Sequence, residues 1–454
     1  MKKQIITLAV TGLLLSGCGI YTKYEPVTSV PDQLYGGEVV AEDTASLGNM
    51  DWRELFTDPH LQSLIEQGLQ NNTDYQSAEL RVEEAQATLM SAKLAFLPAF
   101  ALAPQGTVSS FDTHKATQAY SLPVTASWEL DIFGKITNAK RGAVAALEGS
   151  EAYRQAVQSQ LIATVANSYY TLSMLDAQLD VNIRTLETWR KTVRTMEALK
   201  KAGKSNDAAV LQAQANVLSL ESAQLALRKS ITETENALYA LVGVTNYPEI
   251  KRGSLIDAVF PDTLVTGVPL QLLANRPDVR QAEHNLAQSF YAINVARAAF
   301  YPSISLSGTI GWTNNGGGIV ANPGQWLLNA IGSLTQPLFN RGANVANLRI
   351  AEARQEEAKL LFRQSLLDAG KEVNNALTAW QTANGQIEIA DNQVDTLKEA
   401  VRKTELLMRH SPTTYLEVLT AQQSLLDAEL TALQSRYDRI QSIITLYHAL
   451  GGGH

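Results

Sequence analysis

Up to Tyr301 the apolar positions recur at helical spacing. From Ser303 they alternate, with Ile304, Leu306, Ile310 and Trp312 on one side and Ser303, Ser305, Ser307 and Thr309 on the other. Pro302 stands at this change of period. It disfavours the α region at Tyr301 and offers no N–H to continue a helix. A second joint of the same kind occurs at Pro98, within Ala95-Phe96-Leu97-Pro98-Ala99-Phe100. Strands are expected at about 99–110, 119–132, 303–313 and 326–338, in two pairs joined by hairpin-like loops. The second carries the sharpest alternation, with Leu122, Val124, Ala126, Trp128 and Leu130 facing Ser121, Thr125, Ser127 and Glu129. Pro123 interrupts it, since a strand proline loses a ladder bond.

Each pair is preceded and followed by helical patterns. Trp52 to Gly68 reads as a short amphipathic helix, and Asp74 to Leu97 as a second, rich in Ala, Glu and Gln. Helices at about 135–201 and 207–242 follow the first pair; 341–409 and 413–450 follow the second. The first of these would run roughly 100 Å if unbroken. The last carries a heptad seam through Leu416, Leu419, Gln423, Leu426, Leu430, Leu433, Tyr437, Ile440, Ile444 and Tyr447.

The chain is an internal duplication. Asn71–Pro98 aligns with Asn275–Pro302 without a gap, Phe133-Gly134-Lys135 with Phe339-Asn340-Arg341, Tyr239 with Tyr447 and Gly243 with Gly451. The repeats are placed at 59–243 and 271–454, with a proline-marked connector at 244–270. Four strands of about nine to eleven residues suit a tilted membrane span. A lipid-embedded sheet cannot keep open edges, so these strands would have to close a barrel with other chains, as eight in a dimer or twelve in a trimer. A water-soluble sandwich is the alternative, but no soluble core could cover helices this long.

Composition adds an address. Lys2 and Lys3 precede an apolar run from Ile5 to Leu15 that ends Leu15-Ser16-Gly17-Cys18, with Cys18 the only cysteine among 454 residues. This reads as a signal peptide at 1–17 and resembles a bacterial lipobox, with Cys18 the lipidated N-terminus of an extended segment 18–58. Gly19 after the cysteine argues, by the same resemblance, for the outer membrane. A net charge of -8 and the absence of basic stripes exclude nucleic acid as a partner. The six histidines show no metal-ligand spacing, the six methionines do not cluster, and no nucleophile elbow or phosphate loop occurs. The expectation is no enzyme, no cofactor and no metal.

Arg276-Pro277-Asp278-Val279-Arg280, Ala299-Phe300-Tyr301-Pro302-Ser303, Trp128-Glu129-Leu130-Asp131-Ile132-Phe133-Gly134-Lys135, Pro337-Leu338-Phe339, Tyr415-Leu416-Glu417-Val418-Leu419 and the terminal Leu446-Tyr447-His448-Ala449-Leu450-Gly451 together resemble the TolC-like outer membrane factors of tripartite efflux systems, in their lipoprotein branch. The resemblance implies a mostly α homotrimer with a transmembrane twelve-stranded β-barrel, four strands per chain, continued by a periplasmic coiled-coil tunnel. It implies a passive exit duct for small molecules such as drugs and toxic compounds. Its partners would be outer-membrane lipid, a periplasmic adaptor (membrane fusion) protein and an inner-membrane pump of RND type. A periplasmic coiled-coil lipoprotein or adaptor scaffold without a channel is the competing class.

By the same resemblance the gate lies at the helix tips, 196–217 and 406–423. Leu416 takes the place of a constricting leucine and Thr420 that of an aspartate one turn later, with Glu417 or Asp207 as other sources of charge. Gly203, Lys204, Ser205, Ser411, Pro412 and Tyr415 are the residues expected to dock the adaptor. Ser205, Asn206 or Asp207 could cap the helix after the first tip turn. In Arg276-Pro277-Asp278, Pro277 suits a first helical turn and Asp278 complements the helix dipole.

Overall fold

The computed structural model describes residues 21, 23–26, 47–110, 112, 114, 116–246, 249–261, 275–314, 325–410 and 415–453. Its elements are α1 Trp52–Leu55, α2 Pro59–Asn71, α3 Thr73–Leu94, β1 Ala99–Leu102, β2 Gln105–Ser109, β3 Thr117–Leu130, α4 Lys135–Lys201, α5 Asp207–Val242, α6 Pro277–Ala298, β4 Ser303–Thr313, β5 Gln325–Thr335, α7 Ala343–His410 and α8 Tyr415–Ala449.

Two expectations are corrected here. The helix expected from Trp52 to Gly68 is two helices. Asp58, whose side chain accepts from the His60 N–H at 2.8 Å, starts α2 with Pro59 in its first turn. The first strand, expected to run unbroken over 99–110, is also two pieces, β1 and β2, both paired with β3. The break falls at Ala103-Pro104. The Pro123 carbonyl accepts from the Ala103 N–H at 3.0 Å, so the side of β3 on which Pro123 lacks a donor faces that break.

The chain divides into two units, Met1–Val27 with Leu80–Glu151 and Gln281–Gln364, and Thr28–Glu79 with Ala152–Arg280 and Ser365–His454. The first holds the sheet, an antiparallel meander ordered β1/β2, β3, β4, β5. Gly311 lies opposite Pro123, where an added Cβ would collide with the Leu122 carbonyl. Only glycine fits so close an approach of two backbones.

Both joints are built alike. The Phe96 and Leu97 N–H groups bond to Lys93 and Leu94 carbonyls, and those of Phe300 and Tyr301 to Arg297 and Ala298, so α3 and α6 both tighten to a three-residue turn before their proline. The orphan carbonyl of Phe96 accepts from Trp128 Nε1 at 2.9 Å, and that of Phe300 from Gln336 Nε2 at 3.1 Å. Asp131 then caps α4 by accepting from the Ile136 and Thr137 N–H groups, each at 2.8 Å.

The second unit holds the buried helical core, with Tyr169, Trp189, Leu172, Ile162 and Tyr447 among its fully enclosed side chains. Ala390 and Val394 of α7 pack on Ala428 and Ala432 of α8, small residues that bring the two helices close. The heptad seam of α8 is buried at Leu419, Leu426, Leu433, Ile440, Ile444 and Tyr447. At its start it departs from the expectation. Leu416 and Gln423 are exposed, whereas Val418 and Gln422 are buried. The buried stripe has rotated by one position toward the tip.

Candidate functional site

The register of the sheet sorts its residues onto two unlike faces. Leu102, Val124, Ile310 and Leu328 form one row across all four strand positions, and Leu122, Trp312 and Trp326 another. On the opposite face the rows read Ala101, Thr125, Thr309, Asn329 and Glu129, Ser305, Ser333. Ser305 and Ser333 share a 2.6 Å hydrogen bond there, and Lys135 pairs with Glu129 at 3.0 Å.

The apolar face is left uncovered. Phe100 is 70% accessible, Leu328 80% and Trp326 69%, and the Trp326 ring lies tilted against Trp312 with centroids 4.8 Å apart. A soluble sheet buries its apolar face under a second layer. Among the described residues neither β1/β2 nor β5 has a partner on its outer edge. A sheet that is apolar and uncovered on one face, polar on the other and open at both edges fits a segment of a barrel with lipid outside and water inside. Among the described residues no helix is long and apolar enough to cross a membrane.

The helical tip lies in the second unit. Met196 of α4 and Ala209 and Val210 of α5 form a small core, with Leu199, Met408 and Tyr415 packed on it. The turn between α4 and α5 closes on Gly203 at φ +69, where the Lys204 N–H reaches the Leu199 carbonyl at 2.8 Å. Asn206 is the cap, accepting from the Ala209 N–H at 3.0 Å. Ser205 Oγ is buried without a hydrogen-bond partner among the described residues. Asp207 pairs with Lys200.

Leu416 is 61% exposed, and Glu417 and Thr420 are exposed beside it. Gly203 and Lys204 are exposed, Tyr415 is half-buried, and Ser411 and Pro412 lie outside the described residues, as does Cys18. Gln422, which periodicity did not single out, is buried between Thr192 of α4 at 3.3 Å and Glu405 of α7 at 3.1 Å. Pro98 and Pro302 stand immediately before β1 and β4. Among the described residues no group of three or more His, Cys, Asp or Glu side chains is placed to hold a metal.

The Arg276-Pro277-Asp278 motif is a clamp. The Arg276 guanidinium, buried, donates to both Asp278 oxygens at 2.7 and 2.9 Å, to Glu372 of α7 and to the Ala449 carbonyl of α8 at 3.2 Å. Asp278 also accepts from the Val279 N–H at 2.9 Å.

Known proteins place these features. Residues 64–244 and 268–452 each match the family described as outer membrane efflux protein. The chain belongs to that family. It is 33% identical over 451 residues, 97% of both chains, to the cation efflux system protein CusC of Escherichia coli. It is 29% identical over 464 residues to the probable outer membrane lipoprotein SilC of Salmonella typhimurium, covering 100% of this chain and 99% of that one. Crystal structures of CusC that follow its folding and transmembrane channel formation superpose with a TM-score of 0.85 at 30% identity, over 96% of this chain and 100% of that one. The open state of the Neisseria gonorrhoeae MtrE outer membrane channel superposes equally well, with a TM-score of 0.85 at 29% identity over 96% and 98% of the two chains.

As an outer membrane efflux protein, this chain is an outer-membrane channel component of an efflux system, and the scaffold without a channel is set aside. The family is one of efflux ducts rather than enzymes. Its two matched segments agree with the internal duplication read from the sequence.

Proposed function

We propose that three copies of this chain close twelve strand positions into one barrel and form a passive exit duct gated at the helical tip. The observation that carries this reading is the two-faced, edge-open sheet. Four strand positions cannot close on themselves, since the smallest natural barrels have about eight. Three copies pair β5 of each with β1/β2 of the next.

At the tip, Leu416 is the constricting residue. Its side chain stands out of the α8 core just where the buried stripe rotates away from it. Thr420 in place of a carboxylate leaves the ring weakly charged, and Asp207 is engaged by Lys200, so cation binding at the tip is weak. The exposed turn residues Gly203 and Lys204, with Ser205, Ser411, Pro412 and Tyr415, offer the face for a periplasmic adaptor that links the duct to an inner-membrane pump of RND type. Tyr415, partly buried against the tip core, offers only the remainder of its side chain to that face. Cys18 carries the lipid anchor, a reading supported by the name of the SilC relative. The duct passes small toxic compounds or cations that the pump selects.

In planar bilayers, Leu416→Ala oligomers are expected to conduct more than the unsubstituted protein. Unchanged conductance would remove Leu416 from the gate.

A further inference from the structure

We propose that a leucine seam on α5 seats α7 of a second copy, so that helices of neighbouring chains join as α8 joins α4 within one chain. This rests on the three-copy reading and names where the helices of those copies meet.

The two helical hairpins are built on one plan. Ala213-Gln214 aligns with Ala421-Gln422, and Glu197 with Glu405. Gln214 Nε2 donates to Glu197 at 3.4 Å, as Gln422 Nε2 does to Glu405 at 3.1 Å. Farther from the tip, Asn182 of α4 donates to the Leu220 carbonyl of α5 at 3.3 Å. The aligned Ala390 and Ala428 pack together between α7 and α8. Each hairpin thus closes on itself along the same stripe.

The next stripe differs. In α8 it holds Leu419, Leu426 and Leu433, all buried. Gln422 and Tyr437 share that face and tie it to α4, at Thr192 by 3.3 Å and at Thr171 by 2.8 Å. The aligned residues of α5 are Leu211, Leu218 and Leu225, and these are 61, 65 and 70% exposed. Leucines at heptad spacing make a coiled-coil seam, and an uncovered one marks an interface. The helix aligned with α4 is α7, and its corresponding face is open as well. Ile389, aligned with the buried Val181, is exposed.

The contact that the plan calls for is therefore α5 with α7, and a second copy supplies it. Repeating the Thr192–Gln422 contact between copies sets Ala400 of the next copy against Gln214. The same number of residues farther from the tip on both helices, Ile389 of the next copy meets Leu225. The contact joins unlike faces, so repeated head to tail it closes a ring. The hairpin that carries Leu416 is then held from two sides, by α4 of its own chain and by α5 of a neighbour.

The test uses the full-length protein extracted from outer-membrane fractions. Gln214→Cys with Ala400→Cys should give covalent dimers and trimers on non-reducing gels after mild oxidation, and neither single variant should do so. Gln214→Cys with Gln393→Cys, a heptad out of register, should cross-link at least tenfold less. In a separate variant, Leu218→Cys should resist a bulky maleimide in the assembled protein and react after heating. If native mass spectrometry shows three chains but the matched pair gives no interchain product, or a product no better than the mismatched pair, the seat is overturned. A Leu218→Cys that labels fully in the assembly would overturn it too, and would leave the seam to a different protein. An unsubstituted protein without a three-chain assembly would instead overturn the three-copy reading, and the seat with it.

Discussion

In the first repeat, Asn72 donates to the Leu241 carbonyl near the end of α5 at 2.9 Å and accepts from the Tyr75 N–H near the start of α3 at 2.9 Å. In the second, the aligned Arg276 donates to the Ala449 carbonyl, aligned with Leu241, at 3.2 Å, but has no acceptor to offer a helix start. Asp278 takes over that half of the task and is held by the arginine. The single amide of the first repeat is thus divided between two charged residues in the second. The arginine's remaining donors are used on Glu372. The second repeat gains a tie among α6, α7 and α8, where the first has one between α3 and α5. The glycines that end α5 and α8 are alike in both. At Gly243, φ +69, an added Cβ would collide with Asn71, and at Gly451, φ +86, with the Asn275 carbonyl.

The difference has a cost. A guanidinium 5% exposed has lost most of its hydration and depends on its two carboxylates, themselves about half exposed. Arg276→Met should destabilise the detergent-solubilised protein by about 3 kcal/mol, the lower end for breaking a buried ion pair. Asn72→Ala should cost about 1 kcal/mol, as the loss of a cap does. Equal losses in chemical denaturation would show that the charged clamp is no stronger than the neutral one.

A smaller effect separates the repeats by pH. His448 stands beside the clamp, where burial first, and then the Arg276 charge, hold its imidazole below the usual range, against the opposing pull of Glu372 and Asp278. The folded chain therefore takes up this proton at lower pH than the unfolded chain, whose imidazole titrates near 6.5. Stability should therefore fall as pH drops through about 6.5, and His448→Gln should flatten that slope. The first repeat has Ala240 at the aligned position and contributes no such slope. A slope that survives His448→Gln would assign it to another group.

The architecture was legible where periodicity carries it. The switch at Pro98 and Pro302 marks both joints, because a proline and a change from period 3.6 to period 2 are local signals. The clamp was not legible. Arg276 and Ala449 are 173 residues apart, and the sequence showed only that Pro277 and Asp278 suit a helix start. The tip was half legible. A heptad count runs evenly through Leu416 and Gln423, but the stripe rotates there because α8 must also bury Gln422 between α4 and α7. The break at Pro104 was hidden by the alternation of Phe100, Leu102 and Val108, which looks continuous across it.

The central claim is that each chain supplies one third of a barrel. Native mass spectrometry of the detergent-extracted outer-membrane protein tests it directly. An assembly of three chains is predicted. A monomer, or an assembly of two or four chains, would contradict the closure of the open sheet by three copies.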